Sequence, residues 1–278
     1  MATRNPLVLV AGEIKELPSG DTVNGVVAMQ DVTTILDANY ASISLLLHGA
    51  NLADNSPTPK TVTAVGNAAV STVQSKFGGS SFAFDGAGDY LTVPASTATS
   101  FDTGDFTVEM WLYANSTGAD MALYDGMALG GIGGRNNSFL LHMATGGTLK
   151  IFTAGAVAVS TASVITALQW THIAVSRSAG SLKVFIGGIL GATLTLSTNM
   201  TPGGAVIGVL ADSPAGYNLN GYLDDIRVTK GVARYTANFS PPVAAFPDAY
   251  SVTTSVPVNM SYASRGRMYA NARGFALP

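Results

Sequence analysis

The 278-residue chain contains no cysteine, so neither a disulfide framework nor a thiolate metal site is open to it. Charge is scarce as well. Lys, Arg, Asp and Glu together make up 11% of the residues, against about 25% in an ordinary soluble protein. Solubility must therefore rest on hydroxyls and amides, or the surface is covered by neighbours. The charges sum to −3, and no run of Lys or Arg is dense enough to neutralise a row of phosphates. That excludes a nucleic-acid groove and an anionic membrane surface. No stretch approaches the roughly 18 continuous apolar residues of a membrane helix, so membrane insertion is not expected. The short apolar run Leu7 to Ala11 is too brief for a signal-peptide core and its cleavage site. Collagen triplets, heptads and fixed-period repeats are all missing, which leaves no fibre shaft. Helical periodicity is missing too, apart from a possible single turn at Gly231 to Tyr235.

What the chain has instead is two-residue alternation. In Phe106-Thr107-Val108-Glu109-Met110-Trp111-Leu112-Tyr113, the residues Phe106, Val108, Met110 and Leu112 share one face, because strand side chains change face at every step. Thr107, Glu109, Trp111 and Tyr113 occupy the other, so both faces are partly covered. Trp170 to Arg177 and Ser181 to Ile186 repeat the period, and Ser178-Ala179-Gly180 between them suits a hairpin. Ile173, Val175, Val184 and Ile186 join the first four as expected core. The fold class is all-β, and the length suffices to bury a full core.

Three parts follow from the pattern. Residues 1–40 hold the apolar strand Leu7 to Val10, a second short strand Glu13 to Leu17 and a turn at Pro18 to Asp21. Such a piece cannot make a core alone, and its free edges point to an attachment element. Residues 41–247 are the main domain. Residues 248–278, after Pro241-Pro242 and Pro247, are Ser- and Tyr-rich with Arg265, Arg267 and Arg273, and read as an extended arm that orders on a partner.

The turn Phe84-Asp85-Gly86-Ala87-Gly88-Asp89-Tyr90-Leu91, the Phe106 to Tyr113 strand, the Trp170 to Arg177 strand and the closing Gly221-Tyr222-Leu223-Asp224-Asp225-Ile226-Arg227-Val228 occur in that order. Together they resemble the laminin-G-like, concanavalin A-like family, which implies an antiparallel jelly-roll sandwich from about Ser42 to Phe246. The stretch Ser75 to Ser81 is similar to the version of this domain found in phage virion proteins. Asn5 to Val10 with Leu17 to Thr22 resembles the N-terminal segment of tailed-bacteriophage fibre and virion structural proteins. These resemblances imply a virion structural protein, a capsid-decoration (cement) or short fibre protein made in the host cytoplasm. Its partners would be other capsid or tail proteins and copies of itself, a trimer by likeness to phage fibres. The alternative is a receptor-recognition adhesin of the phage tail that binds a host cell-surface glycan.

Catalytic chemistry finds little support. Glycoside hydrolysis needs two carboxylates flanking one bond, whereas the same-face neighbours of Glu109 are Thr107 and Trp111, so no enzyme is expected. His48, His142 and His172 lack ligand spacing to one another. Gly130 to Arg135 lacks the Lys-Ser/Thr and the helix of a phosphate loop. No cofactor is expected beyond a possible Ca²⁺ held by Asp85, Asp89, Asp224 and Asp225, whose other reading is turn chemistry. Gly187-Gly188 stands where the family commonly has Asp-Gly, which weakens a carried-over metal site there. For a glycan, an exposed aromatic with planar polar groups on loops is required, and Tyr124, Asn136, Asn137, Tyr217 and Asn218 meet that description. An inter-subunit contact would use the same residues.

Overall fold

The computed structural model describes residues 7–10, 13–16, 26–127, 137–153, 156–201, 203–214, 216–263 and 267–270. Among them the regular structure is β, with one 3-10 turn at Tyr40–Ser42. The strands run β1 (Leu7–Val10), β2 (Glu13–Glu16), β3 (Val26–Ile35), β4 (Ile43–Leu47), β5 (Thr63–Val65), β6 (Ala69–Ser71) and β7 (Ser81–Asp85). They continue with β8 (Tyr90–Val93), β9 (Phe106–Ala114), β10 (Met121–Asp125), β11 (Leu140–Met143), β12 (Thr148–Thr153) and β13 (Ala156–Val164). The last are β14 (Trp170–Ser178), β15 (Ser181–Ile186), β16 (Ile189–Thr195), β17 (Ala205–Ile207), β18 (Asn220–Lys230), β19 (Ser251–Ala263) and β20 (Arg267–Ala270). The expected turn at Gly231 to Tyr235 is not helical; that segment instead begins a long irregular crossing described below.

Two compact units emerge, Asp37–Tyr250 and the combined ends Met1–Leu36 with Ser251–Pro278. The first is an antiparallel jelly-roll sandwich. One sheet has the order β13-β12-β11-β10-β17-β8-β5, and the other β16-β15-β14-β9-β18-β7-β6 with β4 also paired to β18. Alternation dictates what lies between them. Phe106, Val108, Met110, Leu112, Ile173, Val175, Val184 and Ile186 all enter one buried cluster, together with Leu45, Phe82, Leu91, Leu141 and Ile151. Each large side chain so buried stabilises by about 1.5–3 kcal/mol before entropy is counted. The Ala179-Gly180 hairpin joins β14 to β15, both residues at positive φ, with the Ala179 N–H donated to Asp105 at 2.8 Å.

The opposite face of β9 is covered as well. After β18 the chain crosses that face as a strap, residues 231–250. Its anchors are Gly231 N–H on the Asp105 carbonyl, Phe239 N–H on that of Gly188, and Phe246 N–H on Asp225 Oδ2 at 2.7 Å. Tyr235 and Phe239 stack in parallel at 3.6 Å, and Phe239 meets Phe185 edge-on. Gly188 is what admits the strap: at φ 79° it sits in the left-handed region, and a Cβ there would collide with the Phe239 carbonyl. The Gly187-Gly188 turn is thus a docking point for backbone.

The ends form a sheet of their own. β3 pairs antiparallel with β19 from Val26↔Met260 to Ile35↔Ser251, and β19 pairs with β20. Two segments that read separately in the sequence, an N-terminal attachment element and a C-terminal arm, are therefore joined. β1 and β2 make a separate hairpin.

Candidate functional site

Of the loop aromatics expected from sequence, Tyr217 meets the exposed-aromatic criterion, on the outer face of the sheet containing β10, β11 and β12. On β11, Leu141 and Met143 point into the core, so the pleat turns His142 outward. Register sets Ala122 of β10 on one side of His142 and Lys150 of β12 on the other. The loop between β17 and β18 folds down over this row. Val209 and Ala211 bury against Val206 and Met127, the Ala211 N–H is donated to Asp125 Oδ2 at 3.0 Å, and Leu219 N–H closes the loop on the Gly208 carbonyl. The Tyr217 carbonyl accepts the Ala122 N–H at 2.7 Å. So fixed, the Tyr217 ring lies parallel to His142 at 5.2 Å and 7°, while the residue keeps 38% of its surface exposed.

Polar groups border this platform. Asp120 Oδ1 accepts from Thr145 N–H at 2.7 Å and from its hydroxyl at 3.0 Å. Burial pushes the Asp120 carboxyl up, but the Thr145 bonds and the charges of His142 and Lys150 outweigh it and hold the group below its ordinary value. An aromatic ring on a hydrogen-bonded loop, with a carboxylate and an ammonium nearby, can stack on a sugar face and bond its hydroxyls.

The structure brings together only part of the set expected from sequence. Tyr217 and Asn218 share the loop, and Asn218 Oδ1 accepts the Gly88 N–H at 3.0 Å. Asn137 is exposed ahead of β11, beside a cavity of about 10 Å³ bordered by Phe101, Ser138 and Met200. Asn136 lies outside the described residues, as does Gly130 to Arg135. Tyr124 corrects the expectation. It is in β10, fully buried, and packed on Phe139 at 5.6 Å. A register shift between Ala122 and Tyr124 breaks the alternation, so Leu123 and Tyr124 both face the core. Burial raises the Tyr124 phenol well above its ordinary value. Lys150 and Asp120 were not singled out, and His142 was weighed only as a metal ligand; its outward position between two core residues was the available signal.

The four aspartates do not fit calcium, which takes 6–8 oxygen ligands. Asp89 accepts the N–H groups of Asp85 and Asn67, so it staples its own turn. Asp224 Oδ2 accepts Lys76 N–H at 2.8 Å and Phe77 N–H at 3.0 Å. Asp225 is shared between His48 Nδ1 at 2.6 Å and Phe246 N–H. Asp85 is exposed and bonds Asn67 and Ala87. Among the described residues, no three His, Cys, Asp or Glu side chains gather as a metal site. Burial is the main reason the Asp224 carboxyl is pushed up to about 6.

Glu109, the strand carboxylate weighed for hydrolysis, lies under the strap with no exposed surface. Arg227 bonds its Oε1, the Tyr235 hydroxyl donates to Oε2 at 2.8 Å, and His172 Nε2 is 3.2 Å from Oε2. Asp37 in turn holds Arg227 and Arg234, each at 3.0 Å. Burial would raise the Glu109 carboxyl, but Arg227, His172 and Arg234 prevail and hold it at about 2.

The family model described as concanavalin A-like lectin/glucanases superfamily matches residues 85–234. Among solved structures, domain 4 of AbnA, a GH43 extracellular arabinanase from Geobacillus stearothermophilus in complex with arabinotriose, aligns at TM-score 0.53 and 18% identity, covering 69% of this chain and 94% of that one. The receptor-binding domain of botulinum neurotoxin D aligns at TM-score 0.51 and 14% identity, with 70% of this chain and 50% of that one covered. A botulinum neurotoxin type C structure, whose cell uptake depends on interaction with two ganglioside molecules, aligns at 0.53 and 14%, with coverages of 70% and 49%. This chain thus spans about half the length of the neurotoxin domains. At these identities the likeness is one of fold. No curated protein sequence matches the chain.

Proposed function

Because the chain belongs to the concanavalin A-like lectin/glucanases superfamily, whose model spans residues 85–234, we propose that it is a non-enzymatic, carbohydrate-binding display protein of a bacteriophage particle. The observation that carries the binding half is the Tyr217 ring, held parallel to His142 by a closed loop and left 38% exposed beside Asp120 and Lys150. Fold relatives solved with arabinotriose or tied to gangliosides support a glycan as the ligand class. The non-enzymatic reading is supported by Glu109, whose carboxylate is committed to Arg227 and Tyr235 beneath the strap.

The virion half draws on the sequence resemblances in residues 5–22 and 75–81 and on the paired ends, which leave the jelly roll as the displayed unit. Capsid decoration or a short fibre, assembled as a homo-oligomer, is the leading form. An adhesin of the tail is the second reading, favoured if the Tyr217 platform proves to be the host receptor site.

Immunogold microscopy of purified particles should label capsid or tail, and labelling of neither would remove the virion reading. A glycan array probed with wild-type protein and with Tyr217→Ala should show binding that the substitution abolishes. Binding by neither protein would remove the glycan reading, and release of reducing ends from host polysaccharide would reinstate an enzyme.

A further inference from the structure

Strand register places three aromatic side chains in one row on the sheet face that carries Glu109. Tyr113 of β9 is paired with Trp170 of β14 on one side and with Tyr222 of β18 on the other, and directly paired residues of antiparallel strands share a face. Their neighbours Leu112, Ala114 and Leu223 enter the core, so alternation turns all three aromatics outward. Coverage changes at this row. Trp111, two residues back on β9, is 5% exposed beneath Phe77 and Lys76, whereas Tyr113, Trp170 and Tyr222 are each only half-buried. The ring centroids of Trp170 and Tyr222 stand 5.6 and 5.9 Å from that of Tyr113, with the ring planes inclined by 57° and 75°.

The next row outward on the same face is polar. Asn115 follows Tyr113 by two residues, Asn220 precedes Tyr222 by two, and Asp85 is the register partner of Asn220. Asn115 donates its backbone N–H to the Asn220 carbonyl at 3.0 Å and its side-chain amide to Asn220 Oδ1 at 2.7 Å. The side-chain bond holds the two planar amides together, and it leaves Asn115 Oδ1 to accept and Asn220 Nδ2 to donate. Asp85 is exposed and adds a carboxylate.

We propose that these two rows form a second saccharide site, one that takes a single neutral oligosaccharide chain. Aromatic rings offer apolar faces to the C–H groups of a sugar, and the amides match its hydroxyls, which both donate and accept. Strands about 4.8 Å apart set the two outer rings about 10 Å from each other, wider than one sugar ring, so the ligand is an oligosaccharide. The tilts decide its form. Rings inclined by 57° and 75° cannot lie together against the flat face of a crystalline polysaccharide, but they can follow a twisted chain. Charge decides its class, because Asp85 is the charged side chain of these rows and repels an anionic sugar. The site uses no residue of the Tyr217 platform, which lies on the other sheet, so either can fail while the other stands.

The test puts the full chain on an array of neutral and acidic oligosaccharides. Signals lost in Tyr217→Ala belong to the platform, and those that remain should be neutral oligosaccharides. Adding Trp170→Ala or Tyr113→Ala to Tyr217→Ala should weaken the remaining signals at least about 30-fold. Asn115→Ala, at an exposed position, should weaken them at least about fivefold without lowering the melting temperature. The chain has two tryptophans and Trp111 is buried, so acrylamide quenching of Tyr217→Ala fluorescence reports on Trp170 with the proposed site intact. A bound neutral chain should lower that quenching about twofold. Absence of any neutral signal in Tyr217→Ala overturns the inference, as does a remaining set confined to acidic glycans. So does quenching that a bound neutral chain does not change, and so does an Asn115→Ala or a folded aromatic variant that binds as its parent does.

Discussion

Glu109 and Arg227 stand directly opposite one another on neighbouring strands, and the guanidinium bonds Oε1 through Nε at 2.9 Å and Nη2 at 2.8 Å. The other face of that guanidinium is covered by Phe246, 3.7 Å from its ring centroid. A strap residue therefore seals an ion pair that belongs to the sheet, coupling closure of the strap to the charges beneath it.

Glu109→Gln should cost about 3–5 kcal/mol, because it leaves Arg227 buried without its counter-charge. Its sign with pH follows from the depressed carboxyl. The stabilisation is fully present above the ordinary value of 4.5 and is lost as pH falls toward about 2. Urea melts at pH 7, 4 and 2.5 should show wild type weakening across this interval more steeply than the variant. Parallel slopes would mean that Glu109 is not the group responsible. Glycan binding should survive at temperatures where the variant is folded.

Trp111 follows the same logic of coverage. It is 5% exposed, with Phe77 edge-on at 5.8 Å, His172 at 5.2 Å and the Lys76 ammonium over its ring at 4.0 Å. Trp111→Ala should cost about 3–5 kcal/mol. Its buried indole N–H has no partner among the described residues, so Trp111→Phe, which removes that donor, should cost clearly less than truncation. Thermal unfolding of both variants checks the order, and equal losses would mean that a phenyl ring recovers none of the packing that the indole makes.

The core was legible because it depends only on alternation, as with Phe106, Val108, Met110 and Leu112. The site was legible in part. Tyr217 stood out as a loop aromatic, yet nothing local links it to His142, far back in the chain on another strand. Tyr124 was misplaced because a bulge in β10 undoes the period that would have marked it as core. Glu109 looked isolated since Arg227 is 118 residues away, and Asp37 lies 190 residues from Arg227. Pairing of β3 with β19 spans a still longer separation, where strand propensity predicts each segment but not its partner.

Gly188→Ala should release the strap, since the new Cβ collides with the Phe239 carbonyl and the residue must hold positive φ. A destabilisation of at least about 1–2 kcal/mol is expected from the backbone conformation alone. Limited proteolysis should cut within 231–250 in the variant before wild type is touched. An unchanged cleavage pattern would mean that the strap is held without this turn.

The Tyr217 platform makes a paired prediction, because the ring's orientation depends on His142 while its contact with a ligand does not. Tyr217→Phe keeps the stacking surface and should bind the glycan found on the array within about threefold of wild type. Tyr217→Ala removes the anchor and should lose at least about 30-fold, the behaviour of a hot-spot aromatic. His142→Ala leaves Tyr217 in place but takes away its parallel support, worth about 0.5–1.5 kcal/mol for an aromatic pair. That should weaken binding by roughly 2- to 12-fold and add nothing in the Tyr217→Ala background. Titration calorimetry on wild type, the two alanine variants and their combination closes the cycle. Additive losses would mean that His142 contacts the glycan itself, making it part of the binding surface and not the bed on which Tyr217 lies.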